Sequence, residues 1–336
     1  MAYEGKGIWC VGEVRHGNLS PALFELITAA RIIAEARGET VTAVVAGHGV
    51  TAKAGEIAAR GADKVLILDH DALGQLVDEA HAGAIAAAAA AEKPKTILFT
   101  ASLYGRSVAP RVAVSLDGAL ASGAGEISVS DGTLTLKRSA YASNVIATVS
   151  VNAADGPEIV TLAPMAFDRS PAGDQKAEIV NGTVDASSWT ANTEFVSFSA
   201  DENNEVDLGA AEKVVSGGRG LGKPENFELI RNLAKSLGAA VGASRAIVDA
   251  GWVPYKHQVG LTGRQVRPRL YVAAGISGQI QHLAGMKSSD VIVAINTDAE
   301  CPMMKMATYA VKGDAILVLP ALVGEINKAR GNSVAS

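Results

Sequence analysis

The sequence predicts an α/β protein with two domains, an N-terminal parallel α/β domain with antiparallel additions and a C-terminal doubly wound domain. The first observation is length, because 336 residues exceed the roughly 100–200 that one domain usually holds. The second is the alternation of short β-type runs with helical stretches in both halves of the chain. The third is the polar segment 201–212, which carries five acidic residues and two adjacent asparagines. We therefore predict domains at 1–200 and 213–336, joined by a linker at 201–212.

The first half of the chain contains predicted strands and helices in strict alternation. This order is typical of a parallel sheet whose strands are joined by right-handed crossovers. The first predicted helix has Ser20 in position to cap it and Pro21 as its first residue. The predicted strands are 7–14, 41–46, 64–68 and 96–100, and the predicted helices are 21–36, 51–60, 73–91 and 106–115.

The pattern changes between residues 118 and 164, where β-type runs follow one another without helices. Asp131-Gly132 is typical of a two-residue hairpin turn. We expect these runs to be antiparallel additions to the first sheet, before a polar segment at 167–200 with little periodicity. The runs are 133–137, 145–151 and 159–162.

After residue 212 the alternation resumes and predicts a complete doubly wound domain of about 120 residues. In such open sheets, ligands bind at the edge where strands end and helices begin. The predicted strands are 212–215, 239–241, 270–274, 290–295 and 315–319, and the predicted helices are 224–237, 278–284, 303–309 and 321–329.

Composition argues against several classes of protein. With 4% aromatic residues and a net charge of −5, the chain lacks the stacking side chains and the basic excess of a nucleic-acid-binding surface. Cys10 and Cys301 are the only cysteines and form no CxxC spacing, so we predict neither a metal site nor a disulfide framework. The first seven residues lack the features of a targeting peptide, and the Ala-rich run 84–91 is far shorter than the ~20 apolar residues of a membrane span. We expect a cytoplasmic protein without membrane insertion.

A glycine-rich segment, 216–223, directly follows a predicted strand. Its glycines would let the backbone approach a phosphate, and Arg219 would add a positive charge; the alternative is a tight strand-to-helix turn. A P-loop is disfavoured because Pro224 stands where a Ser or Thr would bind Mg²⁺. The GxGxxG fingerprint of NAD sites is also incomplete, because Lys223 replaces its last glycine.

A second turn, 275–282, joins a predicted strand to a predicted helix. Open amides and the positive end of that helix would suit an anion, typically a pyrophosphate. The layout also resembles a GxSxG nucleophile elbow, but its fifth position is Gln279 rather than Gly. His282 lies on the same helix rather than on a distant loop, which further disfavours a hydrolase. A structural role for His282 is the alternative.

Further polar residues follow the other predicted strands. Arg245, in the segment 242–245, is either one half of a surface ion pair or a fixed charge facing a ligand. Thr262 lies between two glycines in the loop 258–264, which is either a ligand-binding loop or a simple turn. Asn296 and Asp314 are placed either to bond a sugar or a ribityl chain, or to cap the elements that follow them.

Taken together, these segments resemble the alpha (large) subunit of electron-transferring flavoproteins. The resemblance is carried by the runs 215–220, 241–245, 258–263, 275–287 and 292–296, which occur in the family's order. The first domain is consistent with the family in length, in strand and helix order and in the stretch 104–111.

The resemblance implies FAD as the cofactor, held mainly by the C-terminal domain. Arg219 and the turn through Ser277, Gly278, Gln279 and Ile280 would face its pyrophosphate. The cofactor would be lined by Gln258, Val259, Gly260, Leu261 and Thr262, its ribityl and adenosine parts would meet Asn296, Asp314 and Ala315, and Ser244, Arg245, Thr262, Gln281 and His282 would lie nearest the isoalloxazine ring.

Three of these residues have a physical reason to tune the flavin. Reduction places negative charge on the ring, so a cationic Arg245 and a hydrogen-bond donor on His282 would raise the reduction potential. The hydroxyl of Thr262 near N5 would favour one redox state over another. This chemistry requires no catalytic nucleophile or general base, and we predict none.

The resemblance also implies a heterodimer in which the first domain contacts a beta subunit that carries AMP or a second FAD. Some members of the family take electrons from acyl-CoA dehydrogenases and pass them to a quinone reductase. Others oxidise NADH at the second flavin and bifurcate the electrons, with ferredoxin as one acceptor. The flavin domain swivels in this family, so the linker 201–212 is expected to serve as a hinge. Leu261 departs from the family pattern, because many members carry a polar Gln there.

Two other classes of function compete with a flavin electron carrier. One is a non-redox regulatory protein that binds adenine nucleotides on the same sheet, and the other is an enzyme that hydrolyses ATP or an ester. A flavin absorption band that bleaches on reduction separates the first reading from both alternatives.

Overall fold

The structure, a computed structural model, describes residues 3–15, 17–141, 145–153, 155–174, 176–189, 192–198, 208 and 211–331. The chain divides into two compact units, Met1–Ser199 and Ala200–Ser336. Most of the predicted linker at 201–212 lies outside the described residues. Across the described residues, no helix combines the length and the apolar character that crossing a bilayer requires.

The first unit alternates strands with helices along most of its length. Its helices are α1 (Ala22–Arg37), α2 (Ala54–Ala58), α3 (Asp78–Glu92) and α4 (Leu103–Ser115). Its strands are β1 (Ile8–Gly12), β2 (Val14–Arg15), β3 (Asn18–Leu19), β4 (Val41–Gly47), β5 (Lys64–Asp69), β6 (Thr96–Thr100), β7 (Ala119–Ser130), β8 (Thr133–Ala140), β9 (Val145–Ser150), β10 (Glu158–Leu162) and β11 (Glu178–Asn181).

Within the described residues, nine of these strands form one sheet in the order β11-β5-β4-β1-β6-β10-β7-β8-β9. The strands from β11 to β7 are parallel, and β8 and β9 extend the sheet antiparallel. Helices α1 and α2 pack on one face, and α3 and α4 pack on the other. The predicted parallel α/β domain with antiparallel additions is confirmed.

The predicted hairpin at Asp131-Gly132 is confirmed, because Ser130 pairs with Thr133 across this turn. Both turn residues have positive φ, 50° and 74°, as a type I′ turn requires.

The prediction that 159–162 is an antiparallel addition is wrong. Strand β10 lies between β6 and β7 and pairs parallel with both. All five of its residues are buried, as expected of an interior strand of a parallel sheet covered on both faces. The apolar run showed that a strand exists but carried no information about its direction.

Several boundaries differ from the sequence prediction. Helix α3 begins at Asp78 rather than at 73, after a short 3₁₀ turn at Asp71–Leu73. Helix α1 begins at Ala22, so Pro21 is its N-cap residue rather than its first turn. Strand β7 was not predicted because Ala, Ser and Gly dominate its first half. Strand β11, within the polar segment 167–200, was missed because its four residues are largely exposed at the sheet edge.

The second unit is a five-stranded parallel sheet among its described residues, in the order β13-β12-β14-β15-β16. Its strands are β12 (Lys213–Gly217), β13 (Ala240–Ala243), β14 (Leu270–Ala274), β15 (Val291–Asn296) and β16 (Tyr309–Lys312). Its helices are α5 (Glu228–Leu237), α6 (Arg245–Asp249), α7 (Ile280–Leu283), α8 (Pro302–Met306) and α9 (Ala315–Ala329). The predicted doubly wound domain is confirmed. The strand order reverses between β12 and β14, which is where ligands bind in this architecture.

The predicted strand at 315–319 is wrong, because these residues form the first turns of α9. A short apolar run such as Ala-Ile-Leu-Val-Leu fits a strand and a buried helical segment equally well. The side chain of Asp314 starts the helix by accepting a hydrogen bond from the amide of Ile316 at 2.9 Å. The last strand is β16, whose four residues are all exposed and therefore gave no apolar signal.

Candidate cofactor-binding site

The carboxyl ends of the five parallel strands of the second unit meet at one edge of the sheet, and backbone hydrogen bonds link each strand end to the next. These bonds join the segments that the sequence singled out into a continuous rim. They run from Ser244 N to Gly217 O (3.0 Å), Gly218 N to Ala274 O (3.0 Å), Gly275 N to Ile295 O (2.9 Å) and Gly313 N to Asn296 O (3.0 Å).

Two glycine turns cross in direct contact where the strand order reverses. The amide of Gly220 donates to the carbonyl of Gly275 at 2.9 Å. A Cβ on Gly218 would lie 2.4 Å from that carbonyl oxygen, and a Cβ on Gly220 would lie 2.7 Å from the Gly275 Cα. Gly275 itself has a φ of +65°. These positions therefore require glycine, and the exposed Arg219 lies between two of them.

The turn after β14 presents unused amides. Within the described part of the chain, the N–H groups of Ser277, Gly278 and Gln279 donate to no protein acceptor. Gly278 packs this turn against α8. Its φ is +84°, and a Cβ added there would lie only 2.4 Å from the Met303 amide nitrogen, so no side chain fits. Three consecutive free donors form a site for an anion.

The helix after this turn is shorter than predicted. Helix α7 spans only Ile280–Leu283, whereas the sequence predicted a helix at 278–284. So short a helix has little macrodipole. The attraction for an anion therefore comes from the amides of the turn and the charge of Arg219 rather than from the helix. Ile280 and Gln281 are both exposed at the start of α7.

The loop from Gln258 to Arg264 is anchored on both sides. Val259 donates to Ala243 O at 2.9 Å, and Leu261 donates to Gln281 O at 2.7 Å, so the loop lies between β13 and α7. Gly260 has a φ of +147°. A Cβ added there would lie 3.0 Å from the Gln281 carbonyl oxygen, which leaves little room for a side chain. Val259 and Gly260 are buried, whereas Leu261 is exposed.

Thr262 is held in place by a buried neighbour. The Gln258 side chain is 3% exposed and donates through Nε2 to the Thr262 Oγ1 at 3.0 Å. The Tyr255 hydroxyl also donates to the Thr262 carbonyl. Because its oxygen already accepts a bond, the exposed Thr262 hydroxyl is left free to donate its proton.

His282 is buried, 6% exposed, on α7. Its Nε2 lies 2.9 Å from the hydroxyl of Tyr271, whereas its Nδ1 is buried without any hydrogen-bond partner among the described residues. Burial lowers the pKa of His282 to about 4, so the imidazole is neutral at pH 7. His282 can therefore offer a hydrogen bond but not a charge.

Arg245 is the first residue of α6, directly after Ser244. Its Nε lies 3.1 Å from the Asp249 Oδ2, and the two side chains are 66% and 62% exposed. The structure thus shows the surface ion pair that the sequence left open. Such pairs contribute little to stability, so Arg245 is free to turn toward a ligand.

The side chains of Asn296 and Asp314 already have structural partners. Asn296 donates to Ile276 O at 3.0 Å and accepts from the Asp298 amide at 3.0 Å, which ties the end of β15 to the turn after β14. Asp314 caps α9, and Ala315 beside it is buried. Both lie on the rim, and each keeps a free lone pair for a further bond.

Tyr271 was not predicted from the sequence as a functional residue. It is fully buried in β14, where an aromatic residue is expected to fill the core. The sequence did offer one signal. A tyrosine in a buried strand needs a hydrogen-bond partner for its hydroxyl, and His282, in the next helix along the chain, is a polar residue that could provide one.

These features fit a dinucleotide carrying a pyrophosphate and an aromatic ring. The crossed glycines and free amides make a cradle for phosphate, and the orphaned Nδ1 of His282 is a buried donor or acceptor that a ligand atom would satisfy. Across the described residues, no group of three or more His, Cys, Asp or Glu side chains is placed to hold a metal ion.

Two family models match the chain. The electron transfer flavoprotein domain matches residues 8–187, and the electron transfer flavoprotein FAD-binding domain matches residues 207–287. The second match contains both crossed glycine turns, the Gln258–Arg264 loop and His282.

Curated proteins resemble the chain over nearly its whole length. The electron transfer flavoprotein subunit alpha of Thermoanaerobacterium thermosaccharolyticum is 39% identical, over 96% of this chain and 98% of that protein. The protein of the same name from Pseudomonas aeruginosa is 42% identical, over 94% and 98%. The acryloyl-CoA reductase electron transfer subunit beta of Anaerotignum propionicum is 32% identical, over 97% and 96%.

Proposed function

This chain belongs to the electron transfer flavoprotein alpha subunits, and from that premise we propose that it carries electrons between a dehydrogenase and a downstream acceptor. Its cofactor is FAD, because its second unit matches the family's FAD-binding domain. The electron carriage follows from the cofactor's chemistry, since a bound flavin accepts and releases one or two electrons.

The crossed glycine turns are the observation that carries the proposal. At that crossing the backbone comes close enough to a ligand for the free amides of Ser277, Gly278 and Gln279 to bond a pyrophosphate. Arg219, exposed on the adjoining turn, supplies the compensating charge. Asn296, Asp314 and Ala315, farther along the rim, are assigned to the ribityl and adenosine parts.

The flavin ring is assigned to the end of the rim formed by Ser244, Arg245, the Gln258–Thr262 loop and α7. There Arg245 supplies positive charge, the free Thr262 hydroxyl donates a hydrogen bond, and neutral His282 offers its buried Nδ1. These groups stabilise negative charge on the ring and raise its reduction potential. With a pKa of about 4, His282 does not exchange a proton in the physiological range.

The partner is a beta subunit, which we assign to the first unit of this chain. Large apolar side chains that are exposed on that unit, including Leu103 at 70%, Val114 at 81% and Ile146 at 59%, are available for such a contact. One relative is named as the electron transfer subunit of an acryloyl-CoA reductase, which favours an enzyme of the acyl-CoA dehydrogenase class as a redox partner. A quinone reductase or ferredoxin would accept the electrons in the cytoplasm. An electron-bifurcating, NADH-linked version requires a second flavin in the beta subunit rather than AMP.

A matched pair of glycine variants of the co-expressed heterodimer tests the FAD site. Gly220→Ala forces a methyl group against the Gly275 backbone, so the crossed turns must move apart and the complex is expected to retain less FAD than the wild type. Gly324→Ala, in α9 with open space around it, is expected to bind FAD normally. Visible absorption of the purified complexes gives the flavin content.

Two outcomes would overturn the assignment. One is a wild-type heterodimer that is colourless and binds only adenine nucleotides, which supports the regulatory alternative. The other is a flavin content that stays equal in both variants across a dilution series. Titration of the wild-type complex with NADH, with flavins counted per heterodimer, then separates the bifurcating scheme from the simple carrier.

A further inference from the structure

A buried hydrogen bond connects a strand of the second sheet to the flavin end of the site. The hydroxyl of Tyr271, on β14, lies 2.9 Å from the Nε2 of His282, on α7. Tyr271 is 0% exposed and His282 is 6% exposed, and their ring centroids are 6.2 Å apart at an interplanar angle of 61°. Both side chains are thus shielded from bulk solvent.

The direction of this bond follows from the groups around it. A phenol has one proton to donate, and burial raises the pKa of Tyr271, with the Ser216 hydroxyl opposing the rise, so the proton is retained. The Ser216 Oγ has no partner within hydrogen-bonding geometry among the described residues. The Tyr271 proton is therefore directed to Nε2 of His282.

The tautomer of His282 follows from the direction of the bond. A neutral imidazole carries one proton, and a nitrogen that accepts a hydrogen bond must be the unprotonated one. With Nε2 accepting from Tyr271, the proton lies on Nδ1, the buried atom that has no partner within the described chain.

We propose that Tyr271 is a positioning residue for the flavin: its hydroxyl fixes the His282 ring and places the single imidazole proton on Nδ1, where it is offered to the cofactor. This inference rests on the proposed FAD site. It assigns to Tyr271 a role that its position in the core does not reveal, because Phe would fill the same volume without directing the proton. A second group that orients a histidine and sets its tautomer has the same effect in metal sites and in catalytic triads.

The test uses the FAD-loaded heterodimer with ¹⁵N-labelled histidine. Protonated and unprotonated imidazole nitrogens resonate in separate regions of the ¹⁵N spectrum, and His282→Asn identifies the His282 signals. The wild-type spectrum is expected to show that Nδ1 of His282 is protonated and that Nε2 is unprotonated. In Tyr271→Phe the proton is no longer directed, so the Nδ1–H signal is reduced or lost and the flavin midpoint potential falls.

A matched control exists in the first unit. The Tyr104 hydroxyl lies 3.3 Å from the Nδ1 of the buried His81, and these rings also meet edge to face. Tyr104→Phe removes a comparable buried bond in the other unit. It should change the His81 signals and leave both the His282 signals and the flavin potential at their wild-type values.

Each outcome is decisive for one of the two proposals. A wild-type spectrum with the proton on Nε2 overturns the role of Tyr271, and so does a Tyr271→Phe complex with an unchanged Nδ1–H signal and potential. If the Tyr271→Phe variant does not fold, the position of the His282 proton in the wild-type spectrum is the test of the proposal. A heterodimer without flavin absorption whose His282 still holds its proton on Nδ1 overturns the proposed function instead.

Discussion

The protonation of His282 is decided by its apolar surroundings rather than by a charged partner. Burial is the largest influence on the pKa of His282, which falls to about 4, while the neighbouring Val259 backbone opposes the fall. The side chain that lies within hydrogen-bond distance of the ring is that of Tyr271, whose hydroxyl is neutral. From the sequence, His282 and Arg245 were both expected to oppose negative charge on the ring. In the structure Arg245 is an exposed cation, whereas His282 is buried and neutral at pH 7, so only Arg245 has a charge to contribute.

The low pKa of His282 predicts how stability depends on pH. An unfolded histidine titrates near 6.5 and the folded one near 4, so between these values the unfolded chain binds more protons and stability falls as pH falls. At about pH 5 this costs the wild-type chain about 2 kcal/mol relative to pH 7. His282→Gln should lose correspondingly less over the same interval.

The measurement is urea unfolding of the wild-type and His282→Gln chains at both pH values. Only the change in the free energy of unfolding between the two values is compared, so the variant's own baseline stability is irrelevant. Equal losses in the two chains would show that His282 is not a buried neutral group.

The exposed position of Arg245 separates its electrostatic role from folding. Arg245→Gln removes the charge but breaks only an exposed ion pair, so the free energy of unfolding should change by less than about 1 kcal/mol. The flavin midpoint potential should fall, as measured by a spectroelectrochemical titration. Asp249→Asn is the control, because it releases Arg245 from the pair and should leave the potential equal or higher.

At the scale of elements, the turns were easier to predict than the helices and strands between them. The glycine turns at 216–223 and 275–282 depend on single residues whose backbone freedom no other residue provides, so their positions could be read from the letters. The direction of β10 and the helical state of 315–319 depend on neighbours distant in sequence. An apolar run indicates that a segment is buried, but it does not indicate which other segments pack against it.

Asp314 illustrates a residue whose two predicted roles can be separated. Its carboxylate caps α9, so Asp314→Ala should lower the free energy of unfolding by about 1 kcal/mol, whereas Asp314→Asn keeps an acceptor and should be nearly neutral. Thermal or urea unfolding measures this difference. If Asp314→Asn nevertheless weakens FAD binding, the carboxylate also bonds the cofactor; if neither variant changes stability, the cap is not significant.

At the scale of the whole molecule, both sheets reverse their strand order, but only one reversal is open to an anion. In the first unit the order reverses between β1 and β6. There the buried carboxylate of Glu13, directly after β1, accepts from the Ser102 hydroxyl at 2.6 Å and pairs with Arg15. Its negative charge disfavours a phosphate, which agrees with assigning FAD to the second unit.

The division into two α/β units was predictable from length and from the repeated strand–helix alternation. The identity of the cofactor was predictable only through the resemblance, because glycine turns of this kind suit any dinucleotide. The pairing of Tyr271 with His282 was not predictable from spacing, since it depends on how β14 and α7 pack.

A crystal structure of the FAD-loaded heterodimer tests the central claim most directly. The expected result is a pyrophosphate bonded by the amides of Ser277, Gly278 and Gln279 near Arg219, with the flavin ring beside Nδ1 of His282. A structure in which side chains close the crossed glycine turns and the flavin is bound elsewhere would contradict the proposed FAD site.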